Sequence, residues 1–474
     1  MIRFIAALLF LLLFLSGTSS AQWRAFEVFE NGTYQNRITI LLLSEGYTES
    51  ELEVFRQDVL KVTDDIFNVS PFKEYKNYFR VVAVEVPSNE SGASSIFDGD
   101  VRDTYFKSTF GQGGGRDLSL MFPVGTGRLY DIKTALDLGW WNSITMVMVN
   151  DHRLGGGPEI ATRGGQEFEV VVHEIGHQFG RLADEYEESG RTPIPGPNVT
   201  QITDRNHIPW KHWILPDTPI PTPVEIENFD KIGLFEGAAY QSNGWFRSQL
   251  SCRMRYNTDH FCAVCNEQLI GRMYTEFNSG RILTVSPEVG QINLSLHEQH
   301  LFNYTGPTPE NGLVFEWFLN ESLISNNAEF DVIASELGIG DHVLELRIHD
   351  RNTQVLDAEI SGRMSISKNW EISVTESTSN PPVVHFSSDV ALGMAYPNPA
   401  NNNAMITFRL PESQIVELAV YDLAGRKVSL ITQGVYPIGE HRINWMTSQL
   451  SSGMYIVTLQ TSHIKLSRTL MILR

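Results

Sequence analysis

Residues His173-Glu174-Ile175-Gly176-His177 place two imidazoles four positions apart, with a carboxylate directly after the first. On an α-helix that spacing turns both rings to one face, where they can hold a single metal ion. Glu174 leans over the same ion from the side, where it can take a proton from a water that the ion activates. The chemistry such a set performs is hydrolysis. With 13 histidines in 474 residues, chance gives an H-E-x-x-H about once in forty such chains. The continuation Gln178-Phe179-Gly180-Arg181-Leu182-Ala183-Asp184-Glu185-Tyr186 makes accident rarer, because a glycine and then an acidic pair follow. The bland alternative is an amphipathic helix whose histidines are merely hydrogen-bonded. His297-Glu298-Gln299-His300 is a useful contrast. Its histidines are three apart, no glycine or acid follows them, and the segment reads as surface.

A catalytic helix needs a scaffold. Gln166 to Val172 puts apolar residues on the face away from the proposed metal. Upstream, the apolar run Ile38 to Leu43, ending in Ser44-Glu45-Gly46, predicts a buried strand. Thr48 with Glu51 forms a capping box that opens an amphipathic helix to about Phe67. Tyr78 to Val86 and Ile144 to Val149 are β-branched and aromatic runs that predict further strands. The sum is helices packed on a twisted sheet, an α/β domain. Gly155-Gly156-Gly157-Pro158 and Gly164-Gly165 precede the histidine helix. No Gly-Lys-Ser/Thr follows, which excludes a phosphate-binding loop. The stretch is either a flexible connection or an edge strand that a substrate backbone can join. Asp98-Gly99-Asp100 with Asp103 reads as a solvated acidic loop, since its spacing is not that of a calcium loop.

Composition sets the setting for this chemistry. The hydrophobic content of 42% suits real cores, and a formal net charge of −20 argues against nucleic acid or an anionic membrane surface as partner. Met1-Ile2-Arg3, the apolar run Phe4 to Leu15 and the small residues up to Ala21 read as a secretory signal peptide, with Gln22 as the mature N-terminus. No later run approaches the ~20 apolar residues of a transmembrane anchor. The cysteines Cys252, Cys262 and Cys265 lie close together. A zinc knuckle needs a fourth ligand, and His260 is the one near in sequence. The oxidising compartment favours instead one disulfide with a third, buried thiol.

Four segments follow the signal peptide. Residues 22–285 read as the α/β catalytic domain and 286–374 as an immunoglobulin-like β-sandwich, with strands at Gln291 to Leu296, Leu313 to Leu319 around Trp317, and His342 to His349. Residues 375–390 read as a linker and 391–474 as a second all-β unit.

The stretch His173 to Tyr186 resembles the IgA-peptidase family of zinc metallopeptidases, whose motif is H-E-x-x-H-x-x-G-x-L-x-D-E-Y. His173, Glu174, His177, Gly180, Leu182, Asp184, Glu185 and Tyr186 match every fixed position. The likeness extends through Leu43-Ser44-Glu45-Gly46-Tyr47, Pro209-Trp210-Lys211-His212, Cys252-Arg253-Met254 and Phe261-Cys262-Ala263-Val264-Cys265. It implies a secreted endopeptidase with a zincin-type, metzincin-like catalytic domain, here followed by two all-β sandwich domains. The family's additional N-terminal β-domain is not expected, because the likeness begins soon after Gln22. The C-terminal unit resembles a type IX secretion sorting domain, as found in the Bacteroidetes. It does so through Tyr396-Pro397-Asn398-Pro399-Ala400, Leu418 to Arg426, Gly439-Glu440-His441 and Leu450 to Tyr455. That implies passage through the periplasm to the cell surface or medium, with the type IX machinery as partner.

Two histidines leave zinc short of a third protein ligand. A related metzincin pattern would put a third histidine at position 183, which here is alanine. Gly180 is expected to take the left-handed turn that brings the chain back to the metal. Asp184 is then the expected ligand, because a shorter side chain suits the short reach from His177, with Glu185 as alternative and Glu236 or Glu267 as weaker options. Resemblance suggests Met254 as the methionine turn beneath the zinc. Tyr240 and Tyr256 are candidate donors to the oxyanion. The expected activity is hydrolysis of peptide bonds in extracellular proteins, with Glu174 as general base. The alternatives are a zinc hydrolase acting on another amide or a peptidoglycan cross-link, and a catalytically silent surface binding protein.

Overall fold

The structure is a computed structural model. It describes residues 23–32, 36–111, 118–120, 124–138, 143–157, 159–164, 168–257, 260–275, 283–376, 390–393, 395, 398, 400, 403–422, 425–447, 450–461 and 464–472. The expected signal peptide (1–21), Pro158, Gly165 to Glu167, residues 377–389 of the expected linker, and Tyr396, Pro397, Pro399, Leu423 and Ala424 of the expected sorting motif lie outside them. The chain divides into two compact units, Met1–Glu376 and Ser377–Arg474.

In the first unit the α/β part runs β1 (Arg24–Phe29), β2 (Ile38–Glu45), α1 (Leu52–Phe67), β3 (Phe79–Glu85), α2 (Val124–Ala135), β4 (Ser143–Val149), β5 (Gly156–Gly157), β6 (Ile160–Thr162), α3 (Val170–Gln178), β7 (Phe235–Ala238), β8 (Gln241–Arg247) and α4 (Ala263–Thr275). Six of these strands form one sheet in the order β1-β3-β2-β4-β6-β5. β2 pairs parallel with β3 and β4, β4 with β6, and only the outer strands β1 and β5 run antiparallel to their neighbours. Every residue of β2 is buried, which explains its unbroken apolar run. Alternate residues serve opposite faces. Ile38, Ile40 and Leu42 pack with α1 and α3, whereas Leu41 and Leu43 pack with Leu129 and Ile132 of α2. The histidine helix is thus one of two covering a single face of the sheet.

The expected capping box is present, with the Thr48 backbone N–H donating to Glu51 Oε2 at 2.8 Å. Several elements were not anticipated, among them the β7–β8 hairpin and α4. β1 is an edge strand without an unbroken apolar run, and α2 carries two glycines that blur its helical pattern.

Beyond α4 the chain becomes all-β. A five-stranded sheet contains Gln291–Ser295, Ser365–Thr375, Gly340–Asp350, Leu313–Leu319 and Ser322–Ser325, facing a smaller sheet with Gln299–Tyr304 and Glu329–Ile333. Buried Trp317 stacks on Trp370 at 5.8 Å. His297 and Glu298 are exposed between strands, as a surface segment should be.

This part packs onto the α/β part within the same unit. Val355, Ile360 and Met364 join the core that contains α1 and α3. Asp350 accepts hydrogen bonds from Tyr75 and from Tyr274, the latter at 2.6 Å. Buried Glu267 of α4 accepts from Trp213 Nε1 at 2.9 Å and from the backbone N–H groups of Leu356 and Asp357 at 2.7 Å each, and pairs with His212 Nε2 at 2.7 Å.

The second unit has its own core of Ile406, Phe408, Leu418, Val420, Val457 and Leu470 among others. Its sheets are three-stranded and four-stranded, the latter ordered Lys427–Tyr436, Gln414–Asp422, Gly453–Gln460, Lys465–Ile472. The Leu418 to Asp422 part of the sorting motif is thus a central strand, and Arg426 pairs with Asp422 at 2.7 Å.

Glu267→Ala should leave four part-buried polar groups without their shared partner and lower unfolding stability by about 3 kcal/mol. Urea unfolding checks this, and a loss below about 1 kcal/mol would show that the carboxylate is not a tie.

Candidate metal centre and active site

α3 begins at Val170 and buries Val171, Val172 and Ile175 beneath the sheet. Gln178 clamps its C-terminal end to β4, its amide meeting both the N–H (2.5 Å) and the C=O (3.1 Å) of Thr145. β6 pairs only with Val147 to Val149 of β4, so the glutamine serves a stretch of strand that β6 does not reach.

His173 Nε2, His177 Nε2 and Asp184 Oδ1 form a triangle. The nitrogens are 3.0 Å apart, and the oxygen is 3.0 Å from His173 and 3.2 Å from His177. The outer ring nitrogens decide what the inner ones can be. His173 Nδ1 meets the Arg253 carbonyl at 2.9 Å and His177 Nδ1 meets the Leu182 carbonyl at 2.7 Å. A carbonyl only accepts, so both Nδ1 atoms carry the hydrogen and each neutral ring turns a lone pair inward. Asp184 Oδ1 is buried without a hydrogen-bond partner. Three lone pairs about 3 Å apart repel, unless a cation sits between them. Ligands about 2.0–2.2 Å from a tetrahedral zinc lie about 3.3–3.5 Å apart, close to what is found. The donor set therefore fits a metal. Without one, a proton is the cation that relieves the contact. Burial opposes the charge on His177, but hydrogen bonding and charge from Asp184 outweigh it and raise the imidazole to about 9. Burial likewise opposes ionisation of Asp184, but both histidines hold its carboxyl well below the usual range.

Residues 184–186 run as an extended strip between two partners. Ala239 N–H donates to Asp184 O at 2.9 Å, Glu185 N–H to Met254 O at 2.8 Å, and Tyr240 N–H to Tyr186 O at 2.9 Å. Neighbours on such a strip point to opposite sides. Asp184 therefore faces the histidines, while Glu185 faces away towards Cys262 and Cys265. Glu236 is exposed, and Glu267 is committed to its four partners.

The left-handed residue after the helix is Arg181 (φ 54°), not Gly180 as expected. Gly180 is needed for space instead, since a Cβ there would lie 2.7 Å from the Gly176 carbonyl oxygen and 2.9 Å from Leu269. Asn198, fully buried, then holds the turn by accepting from Ala183 N–H at 2.7 Å and donating to Ala183 O and Glu185 Oε1. Met254 is buried under α3, and its sulfur would be 2.6 Å from a Cβ on Gly176.

Tyr240 was expected to face an oxyanion; its hydroxyl instead donates to Asp184 Oδ2. It gets there through a tight hairpin. Ala238 pairs with Gln241 across the two-residue loop Ala239–Tyr240, and both loop residues have positive φ (50° and 68°). A turn of this kind favours glycine or asparagine, so strain is accepted where it aims a side chain at Asp184. Tyr256 is 50% exposed, with the Arg255 guanidinium over its ring. Tyr186, to which no role was assigned, packs against Tyr240 at 5.5 Å, and burial together with the charges of Asp184 and Glu174 raises its hydroxyl.

Glu174 is buried beside His177 and feels its charge. A Cβ on Gly156 of β5 would come within 2.8 Å of Glu174 Oε1, so a side chain there would push the carboxylate out of its present position. The cysteines expected to form a disulfide are all free and buried. In the acidic loop, Asp98, Asp100 and Asp103 are engaged separately, by Ser95, Arg102 and Asn89.

Comparison with known families places this geometry. Residues 26–233 match the family described as IgA Peptidase M64. The chain carries an M64 peptidase domain. Behind it, residues 394–473 match the Secretion system C-terminal sorting domain, which points to secretion or the cell surface. Among the described residues no helix is long and apolar enough to cross a membrane. Met254 and the three cysteines lie beyond the stretch that matches M64. No curated protein matches the chain. Similar solved structures include the fibronectin(III)-like modules of Clostridium thermocellum CbhA, at 12% identity over 40% of this chain and 93% of that one, with a TM-score of 0.15. Another is Bacteroides uniformis β-glucuronidase 3, at 11% identity over 50% of this chain and 30% of that one, with a TM-score of 0.17. Likenesses of that order bear on nothing further.

Tyr240→Phe removes the hydrogen bond that orients Asp184 and should weaken metal binding about 10–100-fold. Competition with a chromophoric chelator measures it; unchanged affinity would mean that the hairpin does not serve the metal.

Proposed function

We propose that this chain is a secreted zinc endopeptidase, with a zincin-type catalytic domain over residues 22–285, a sandwich at 286–374, a linker at 375–390 and a sorting domain at 391–474. The observation that carries the reading is the inward triangle of His173, His177 and Asp184 with the Glu174 carboxylate beside it. His173, His177 and Asp184 would hold zinc, with Glu185 left out because it turns to the other side. Zinc when bound supplies a Lewis acid that polarises the scissile carbonyl and acidifies water.

The chain's own residues do the rest. Glu174 accepts the proton of the attacking water on one carboxylate oxygen and passes it to the leaving amide nitrogen. Gly156 keeps that carboxylate in place by leaving room for it. The strand β5 is the last of its sheet, which supports an extended substrate laid along it as an added strand. Tyr186 is the better candidate for donating to the oxyanion, because Tyr240 is already committed to Asp184. Met254 floors the site.

Digestion of an unbiased peptide library by the mature protein tests the reading. Cleavage should stop with a zinc chelator and return with zinc, and Glu174→Gln should lower kcat/KM by about 10³-fold or more while zinc stays bound. Intact peptides in the wild-type digest, or full activity in Glu174→Gln, would end the peptidase reading. Tyr186→Phe should lower kcat by about 10²-fold with KM little changed. A rate equal to wild type would return the oxyanion role to another donor.

A further inference from the structure

The side of the Asp184–Glu185 strip that faces away from the catalytic triangle has its own cluster. Glu185, Cys252, Cys262 and Cys265 are all buried, and one donor atom from each lies within 4.8 Å of all the others. Cys252 Sγ is 3.7 Å from Cys265 Sγ, and Glu185 Oε1 is 3.4 Å from Cys265 Sγ and 3.9 Å from Cys262 Sγ. We propose that these four side chains form a second, structural zinc site, Cys₃Glu, separate from the catalytic one. This goes beyond the peptidase reading and does not rest on it.

The distances match that assignment. A tetrahedral zinc with Zn–S near 2.3 Å and Zn–O near 2.1 Å separates its sulfurs by about 3.8 Å and a sulfur from an oxygen by about 3.6 Å. A disulfide needs sulfurs about 2.05 Å apart, and pairing any two would strand the third thiol next to a carboxylate with 0% exposure. Glu185 Oε2 has no hydrogen-bond partner. A buried, partly unsatisfied carboxylate among three thiols is costly unless a cation is there.

The surroundings suit thiolates. Backbone N–H groups point at sulfur, from Cys262 to Cys252 Sγ at 3.4 Å and from Cys265 to Cys262 Sγ at 3.5 Å, and Ser248 Oγ is 3.3 Å from Cys262 Sγ. Cys262 and Cys265 flank the first turn of α4, whose N-terminal end favours negative charge. Buried Arg247 adds a cation that interacts with Glu185. Asn198 fixes Glu185 Oε1 at 2.8 Å. The fourth ligand is thus a glutamate 67 positions before Cys252 in sequence, not neighbouring His260, which is exposed. Zinc here would tie together three segments that shape the catalytic site: the Asp184–Glu185 strip, the turn before Met254 and the start of α4.

Metal analysis of the mature full-length chain tests this. Wild type should hold two zinc ions per chain, His173→Ala/His177→Ala one, and Cys262→Ser/Cys265→Ser one fewer than wild type. Cobalt substitution should give a thiolate-to-metal charge-transfer band that survives the histidine variant and disappears in the cysteine variant. Should the cysteine variant not fold, wild type still decides the matter. Titrating its thiols with a mercurial should release one zinc per chain into a colorimetric chelator. The proposal is overturned if the histidine variant binds no zinc, if thiol titration releases none, or if intact mass shows a disulfide among the three cysteines.

Discussion

The backbone carbonyls of Arg253 and Leu182 each take the Nδ1 hydrogen of one histidine, and that pair of hydrogen bonds governs the site. It forces both Nε2 lone pairs towards Asp184 Oδ1, which has no hydrogen-bond partner of its own. Such a contact is unfavourable by itself and favourable around a cation. The elements nearby serve to hold it: α3 is locked to β4 by Gln178, Met254 backs Gly176, and the Ala239–Tyr240 hairpin accepts strain to anchor Asp184.

The strip 184–186 then turns one sequence feature into two chemical ones. Because it is extended and hydrogen-bonded on both edges, its two adjacent acids face different neighbourhoods. Asp184 meets imidazoles, and Glu185 meets sulfur. Burial and the neighbouring Cys262 charge raise Glu185 to about 8, against the pull of Asn198. One short segment therefore couples the position of Asp184, the proposed metal ligand, to a cluster buried behind it.

Much of this was legible in the residues. The helix of His173 and His177, the strand Ile38–Glu45, the capping box and the M64 and sorting motifs all carry local signals, because spacing, apolar runs and capping act within a few residues. What was not legible depends on distant contacts. The left-handed turn falls at Arg181 and not at Gly180, since only packing against Gly176 and Leu269 shows that the glycine is needed for space. Tyr240 gave up its assigned partner for Asp184 because of a hairpin that the composition Ala-Tyr disguises. The cysteines pointed to a disulfide because of the oxidising compartment, and the fourth member of their cluster, Glu185, lies too far away in the chain to be read with them.

The most direct test of the central claim is a crystal structure of the zinc-loaded protein with diffraction data collected on both sides of the zinc absorption edge. An anomalous peak about 2.0–2.2 Å from His173 Nε2, His177 Nε2 and Asp184 Oδ1 together is the predicted result. A peak bound by the histidines but coordinated by Glu185 or another acid in place of Asp184, or no peak between the histidines, would contradict the account.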